Sequence, residues 1–269
     1  MKASRTALLA RLERFLDGVR QRQQQALAET EAGIAALLAT RPGDTRVLRN
    51  ALAGVEHQMK SLWGVVDSTW EEQIEPLFLA EDEEQRDFYH AGRDMIDERS
   101  LDFSEAWQSF RAKAEADCLR AWWPEVSLAM QRRRACQGCG ADVTMLRPHV
   151  PESVKCSYCS AVNQLLPQSE VQHYFADAPR VFAEEASLPI RYQIERFRKQ
   201  AERNTRGSMA RQETLSSLQS WRELEFRYWS RYAQVHAQVL GDAIDENLIQ
   251  GRMRAMDEML AYYPAWRNR

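Results

Sequence analysis

Apolar residues recur at helical spacing along most of this chain. Leu8, Leu12, Phe15 and Val19 step by four, three and four, and after a polar gap from Arg22 to Gln25 the stripe returns at Ala26, Leu27, Ile34, Leu37 and Leu38. Such spacing turns one helix face toward a core and predicts a first helix over about residues 4–38. Pro42-Gly43-Asp44 reads as a turn, with Asp44 placed to cap the next helix. There Leu48, Leu52, Val55, Met59, Leu62 and Val66 alternate by four and three, and Trp70 and Ile74 continue the stripe after a small slip in phase. A heptad-like stripe behind so short a turn predicts an antiparallel helical hairpin. The stripe serves packing within the chain or a coiled-coil seam between two copies.

Punctuation residues divide the rest. Pro76 is expected to end the second helix, and a third is predicted over about 81–99 behind the acidic lead-in Glu81-Asp82-Glu83-Glu84. Asp102-Phe103-Ser104-Glu105 has the form of a capping box opening a fourth helix, whose apolar face is Phe103, Trp107, Phe110, Ala114 and Cys118. Trp122-Trp123-Pro124 is expected to interrupt it, with Pro124 in the first turn of a short successor. Further on, Ser169 and Gln172 suggest another capping box, with helices over about 169–185 and 187–204. A polar stretch at 204–208 reads as a loop. Leu218, Trp221, Tyr228, Tyr232, Val235 and Val239 mark a long last helix from about residue 209, broken only by Glu225, with Gly241 as its interruption and a final helical stretch over 242–263. Strand-like pieces occur at 143–146, 153–155 and 161–165, an allotment of three short strands.

Composition changes this picture little. The chain has 269 residues, 28% charged, and a net charge of −3, so it carries no global argument for nucleic acid or an anionic membrane. No apolar run approaches the roughly 20 residues that span a bilayer. The N-terminal leucines are interleaved with Arg11, Glu13 and Arg14, unlike a secretory signal. Charge is nevertheless unevenly spread: residues 75–99 hold nine acids and three bases, and residues 191–211 hold seven bases and two acids. These stretches either meet within the fold or form two recognition surfaces.

The cysteines alter the reading more. Four of the five fall in two C-x-x-C pairs, Cys136/Cys139 and Cys156/Cys159, and Cys118 stands alone on a helical face. This pattern reads as metal binding in a reducing, cytoplasmic compartment and not as a disulfide framework. Two pairs supply the four thiolates that Zn²⁺ takes in a tetrahedron. Gly138 and Gly140 suit a tight knuckle whose backbone N–H groups turn toward sulfur. The segment 135–166 resembles the zinc-ribbon superfamily, in which two knuckles on β-hairpins hold one zinc. The resemblance implies the ligands Cys136, Cys139, Cys156 and Cys159 and a structural Zn²⁺, and implies nothing about function. Four thiolates leave no open position for water or substrate. Binding in small zinc modules is worth on the order of 10–16 kcal/mol, so the metal should decide whether the ribbon folds.

Other chemistry is thin. Glu170 and His173 form one E-x-x-H pair, where a di-iron bundle needs two. No phosphate-binding G-x-x-x-x-G-K-[ST] or nucleophile elbow is present. His149 lies between the cysteine pairs and reads as an exposed loop residue; His57 and His236 read as packing residues. Arg132, Arg133, Arg134 and Arg147 either compensate the anionic metal site or contact a partner, and one of Trp122 and Trp123 is free to anchor a partner or the ribbon.

The sequence thus predicts a mainly α protein, a long antiparallel helical hairpin or bundle with a small inserted β zinc ribbon. Its regions are 1–134, 135–166 and 167–269. The expected function is non-enzymatic: an adaptor whose zinc ribbon and helical surfaces bind another protein, with homo-oligomerisation open. The alternative is a nucleic-acid-binding regulator using the ribbon, the adjacent arginines and the basic stretch.

Overall fold

The computed structural model describes residues 5–78, 83–205 and 215–263. It is mainly α, as the periodicity predicts. Helix α1 is Arg5–Thr40 and α2 is Thr45–Thr69. Gly43 holds φ at +83° in the turn between them, and Asp44 caps α2 by accepting from the Val47 N–H at 3.0 Å. The slip in the α2 stripe has a structural form. Trp70–Ile74 is a π-helical turn, which admits one extra residue and rotates buried Trp70 back onto the core. Pro76 does not stop the helix at once: the π-helical turn runs directly into the short α3, Glu75–Phe78, with the Glu75 N–H donating to the Trp70 carbonyl.

The predicted third and fourth helices are one. Helix α4 runs unbroken over Glu83–Met130, 48 residues, or ~72 Å at 1.5 Å per residue. The capping-box residues do not cap: Asp102 and Glu105 both accept from the Arg196 guanidinium, at 2.7–2.9 Å. Pro124 lies inside α4 on an exposed face. Its neighbours Leu119, Trp122, Val126 and Ala129 are buried against the next helix. That burial offsets the roughly 3 kcal/mol an interior proline costs. The same holds for α5, Ser169–Thr205, one helix through Pro179 and Pro189 where two were expected. Ser187, the expected start of the second, is buried and donates to the Ala183 carbonyl at 2.7 Å. The Ser169 capping box is not made either: the Gln172 side chain donates to the Pro167 carbonyl instead.

Helix α6 is Leu215–Leu240, and Gly241 ends it with φ +70°. Asp245 caps α7, Glu246–Leu260. The buried face of α6 uses Leu218, Trp221, Tyr228, Ala233 and Ala237, so its small residues replace the predicted valines in the last two turns. The acidic lead-in at 81–84 and the polar stretch at 204–208 lie wholly or mostly outside the residues whose side chains are described.

Helix α4 is the common wall. Contacts pair Asp17 with Arg99, Gln23 with Phe103 and Glu31 with Lys113, so α1 runs parallel to it. Trp63 against Phe103 and Trp70 against Tyr89 show α2 running antiparallel. Leu48, Leu52, Met59 and Val66 are therefore buried inside this three-helix bundle, the within-chain option for the heptad stripe. The polar gap in α1 is explained as well. Buried Gln23 donates to the Phe103 carbonyl at 2.7 Å. On its other side α4 packs antiparallel to α5, with Trp122 against Tyr174 and Ser109 bonded to Tyr192. Helices α6 and α7 then pack successively beyond α5 and share a second core. No helix among the described residues is long and apolar enough to cross a membrane.

Candidate metal centre

Two β-hairpins occupy the end of the α4–α5 hairpin, between Met130 and Ser169. Strand β1 (Arg134–Ala135) pairs with β2 (Asp142–Val143), and β3 (Glu152–Lys155) pairs with β4 (Val162–Leu165), both antiparallel. Among the described residues the sheet content is two ribbons of two strands, where three strands were expected. Strand β1 comes from Arg134-Ala135, which shows no alternation long enough to read.

Each hairpin carries one cysteine pair, and the two loops are built alike. The N–H of Cys136 donates to the Ala141 carbonyl and that of Cys156 to Ala161, at 2.7 and 2.9 Å. The N–H groups of Gly140 and Ser160 donate to the carbonyls of Cys136 and Cys156 at 2.8 and 3.0 Å. Both of these residues, each following the second cysteine of its pair, have positive φ, +77° and +60°. Gly138 meets a different demand. A Cβ there would lie 3.1 Å from the Ala161 Cβ and 3.3 Å from the Cys159 sulfur. The facing position of the second loop, Tyr158, points to solvent and is 81% exposed.

The four sulfurs converge. All lie within 4.8 Å of one another, with Cys136–Cys159 at 3.6 Å and Cys139–Cys156 at 3.7 Å. A tetrahedron with metal–sulfur bonds of about 2.3 Å has edges of about 3.8 Å, so the cluster has the size of such a site. Cys136 and Cys156 are buried, and Cys139 and Cys159 are exposed. Backbone amides favour the buried thiolates. The Cys139 and Gly138 N–H groups bring Cys136 down to about 6, and those of Cys159 and Tyr158 lower Cys156. At Cys139 the Ala141 amide also favours the thiolate, but the three neighbouring sulfurs and burial outweigh it and push the group up to about 12. Sulfurs this close resist carrying four charges unless a cation sits among them.

Asn163 ties the two hairpins together and was not singled out from the sequence. It is fully buried on β4. Its carbonyl oxygen accepts from the Gln137 N–H at 2.8 Å. Its amide nitrogen faces the Cys136 sulfur at 3.5 Å and the carbonyls of Ala161 and Val154 at 3.2 and 3.4 Å. The only sequence signal was a polar residue on the inward side of a short alternating strand.

The flanking residues divide. Arg133 pairs with Asp142 at 2.7 Å, Arg132 donates to the Gln168 side chain, and Arg134 to the Leu166 carbonyl. Arg147 is exposed, and its backbone N–H donates to Glu152. Trp122 is buried over Gly43 and Tyr174, and Trp123 is 41% exposed, so the pair does split between core and surface; the core member anchors α4 to α5 and not to the ribbon. His149 is half-buried, stacked on Phe175 of α5 at 4.6 Å, and so fastens the ribbon to the helices. His57 is exposed, whereas His236 stacks on Tyr232. Glu170 accepts from Ser169 in the first turn of α5. Cys118 is buried, and burial raises its thiol above the ordinary range.

Fold and site together define a mainly α protein with a four-cysteine, zinc-ribbon-like cluster suited to a metal ion. The chain matches no protein-family model, no curated protein and no solved structure.

Proposed function

We propose that the chain is a non-enzymatic adaptor that holds one structural Zn²⁺ on Cys136, Cys139, Cys156 and Cys159 and presents the ribbon to another protein. The observation that carries the metal reading is the convergence of four sulfurs in two like-built loops. Thiolate chemistry favours zinc among common divalent ions, and four thiolates complete its tetrahedron. The metal then supplies cross-linking of two hairpins that have almost no core of their own: Val143 and Leu165 are the buried aliphatic residues among them.

The adaptor reading rests on where the ribbon stands. It caps a hairpin of two long helices and exposes Leu146, Tyr158, Val162 and Leu166, each more than 60% accessible. Arg132, Arg133 and Arg134 are engaged within the protein, which favours a protein partner over phosphate tracking.

Metal analysis of the purified protein is expected to give one zinc per chain. Cobalt substitution is expected to give thiolate-to-metal charge-transfer bands. Cross-linking mass spectrometry in the native cell should map a partner onto residues 135–166. A metal-free, folded ribbon would overturn the metal reading, and partner cross-links confined to the helices would overturn the adaptor reading.

A further inference from the structure

A recess lies away from the cysteines, where α2, α4, α5 and α6 meet. It encloses about 630 Å³, within the range of small-molecule sites. Its floor is aromatic. Trp63 and Phe103 lie with centroids 5.2 Å apart, and Trp107 continues the surface. Beside Trp63 the floor is open, because a Cβ built on Gly64 meets no atom within 4 Å.

One wall is a chain of alternating charges. Lys60 pairs with Glu56 at 2.7 Å, Glu56 with Arg111 at 3.6 Å, Arg111 with Glu115 at 3.1 Å, Glu115 with Arg180 at 3.9 Å, and Arg180 with Glu184 at 2.8 Å. All six groups line the recess and they come from three helices. Glu115, at its centre, has a side chain only 8% exposed. With Asp67 and Arg191, which also line the recess, four bases and four acids sum to zero, so a ligand of one sign meets as much repulsion as attraction. A ligand carrying both signs meets a complement for each.

We propose that this recess binds a small aromatic zwitterion, of the size and chemistry of an aromatic amino acid. The ring lies on Trp63 and Trp107 beside Gly64. The carboxylate is held by the Arg111 guanidinium and the ammonium by Glu56, neighbours in the charge chain at 3.6 Å. The aromatic floor supplies stacking surface and the charge chain supplies orientation.

The test uses the full-length, zinc-loaded protein and four indoles in calorimetric titrations. L-Tryptophan carries both charges, tryptamine the ammonium, indole-3-propionate the carboxylate, and indole neither. Tryptophan is expected to bind one per chain, and each single-charge probe about tenfold or more weaker, since a charged hydrogen bond is worth at least that factor. Gly64→Phe places a ring in the open floor and should abolish binding, with the shorter Gly64→Leu weakening it. Gly54→Phe, at an equally open position of α2 outside the recess, should leave it unchanged. Circular dichroism confirms that each variant is folded. No binding at millimolar tryptophan, equal binding of all four probes, or full binding by folded Gly64→Phe would each overturn the proposal.

Discussion

At the residue scale, the side chains with most influence are those placed where no neighbour can move. Asn163 is the clearest case. Buried on the second hairpin, it bonds the Gln137 N–H of the first and faces the Cys136 sulfur. Residues that orient metal ligands typically set affinity by 10–100-fold. Asn163→Asp keeps an acceptor for the Gln137 N–H but loses the donor toward Cys136 and adds a negative charge beside the thiolates. Competition with a chromophoric chelator is expected to show metal affinity lowered by about that 10–100-fold factor. Asn163→Ala should do the same through loss of both bonds. Gly43 is a second such position. Its φ is +83°, and a Cβ would lie 2.3 Å from the Trp122 ring. Gly43→Ala is therefore expected to destabilise the chain by about 2 kcal/mol or more, read as a lower denaturation midpoint. Gly64→Ala on α2, where the space is open, should instead gain up to ~1 kcal/mol from helix propensity. Asn163 was hidden in the sequence because a lone asparagine in a short strand looks like any solvated one; only the second hairpin, brought across from 26 residues away, makes it a buried bridge.

At the element scale, helices here continue through signals that usually stop them. The capping-box pattern at Asp102 and the prolines at 124, 179 and 189 are local preferences worth one to a few kcal/mol each. The apolar seams of α4 and α5 bury Leu119, Trp122, Val126, Val171, Tyr174 and Val181 against one another. Each large side chain contributes about 1.5–3 kcal/mol, so the seam prevails over the punctuation. Leu119→Ala is expected to cost 2–5 kcal/mol, measured by equilibrium unfolding. The ribbon behaves in the opposite way. Its hairpins bury little, and the cluster of sulfurs is what joins them. Stripping the metal with a thiol-directed mercurial should open residues 135–166 to proteolysis while helical ellipticity at 222 nm changes little.

At the scale of the whole molecule, α4 is the wall on which both halves of the chain are mounted, and its length sets the shape. A compact chain of 269 residues would have a radius of gyration of about 18 Å. A protein built along a helix of ~72 Å is expected to exceed that clearly in small-angle scattering at low concentration. Among the described residues, Arg196 of the basic stretch pairs with Asp102 and Glu105 on α4, just past the acidic stretch, while Arg99 within that stretch pairs with Asp17 on α1. The amino-acid sequence by itself determined the mainly α class, the first hairpin and its cap, the C-terminal end of α6 at Gly241, and the two cysteine pairs that cluster, because each depends on residues close together along the chain: a helical period, a turn tripeptide, a C-x-x-C loop. Only the tertiary structure decided that α4 and α5 run unbroken, that α1 and α2 share one face of α4 while α5 takes another, that His149 fastens the ribbon to Phe175, and that eight charges from three helices line one recess. Those outcomes depend on which distant surfaces bury each other, and that burial outweighs local preference.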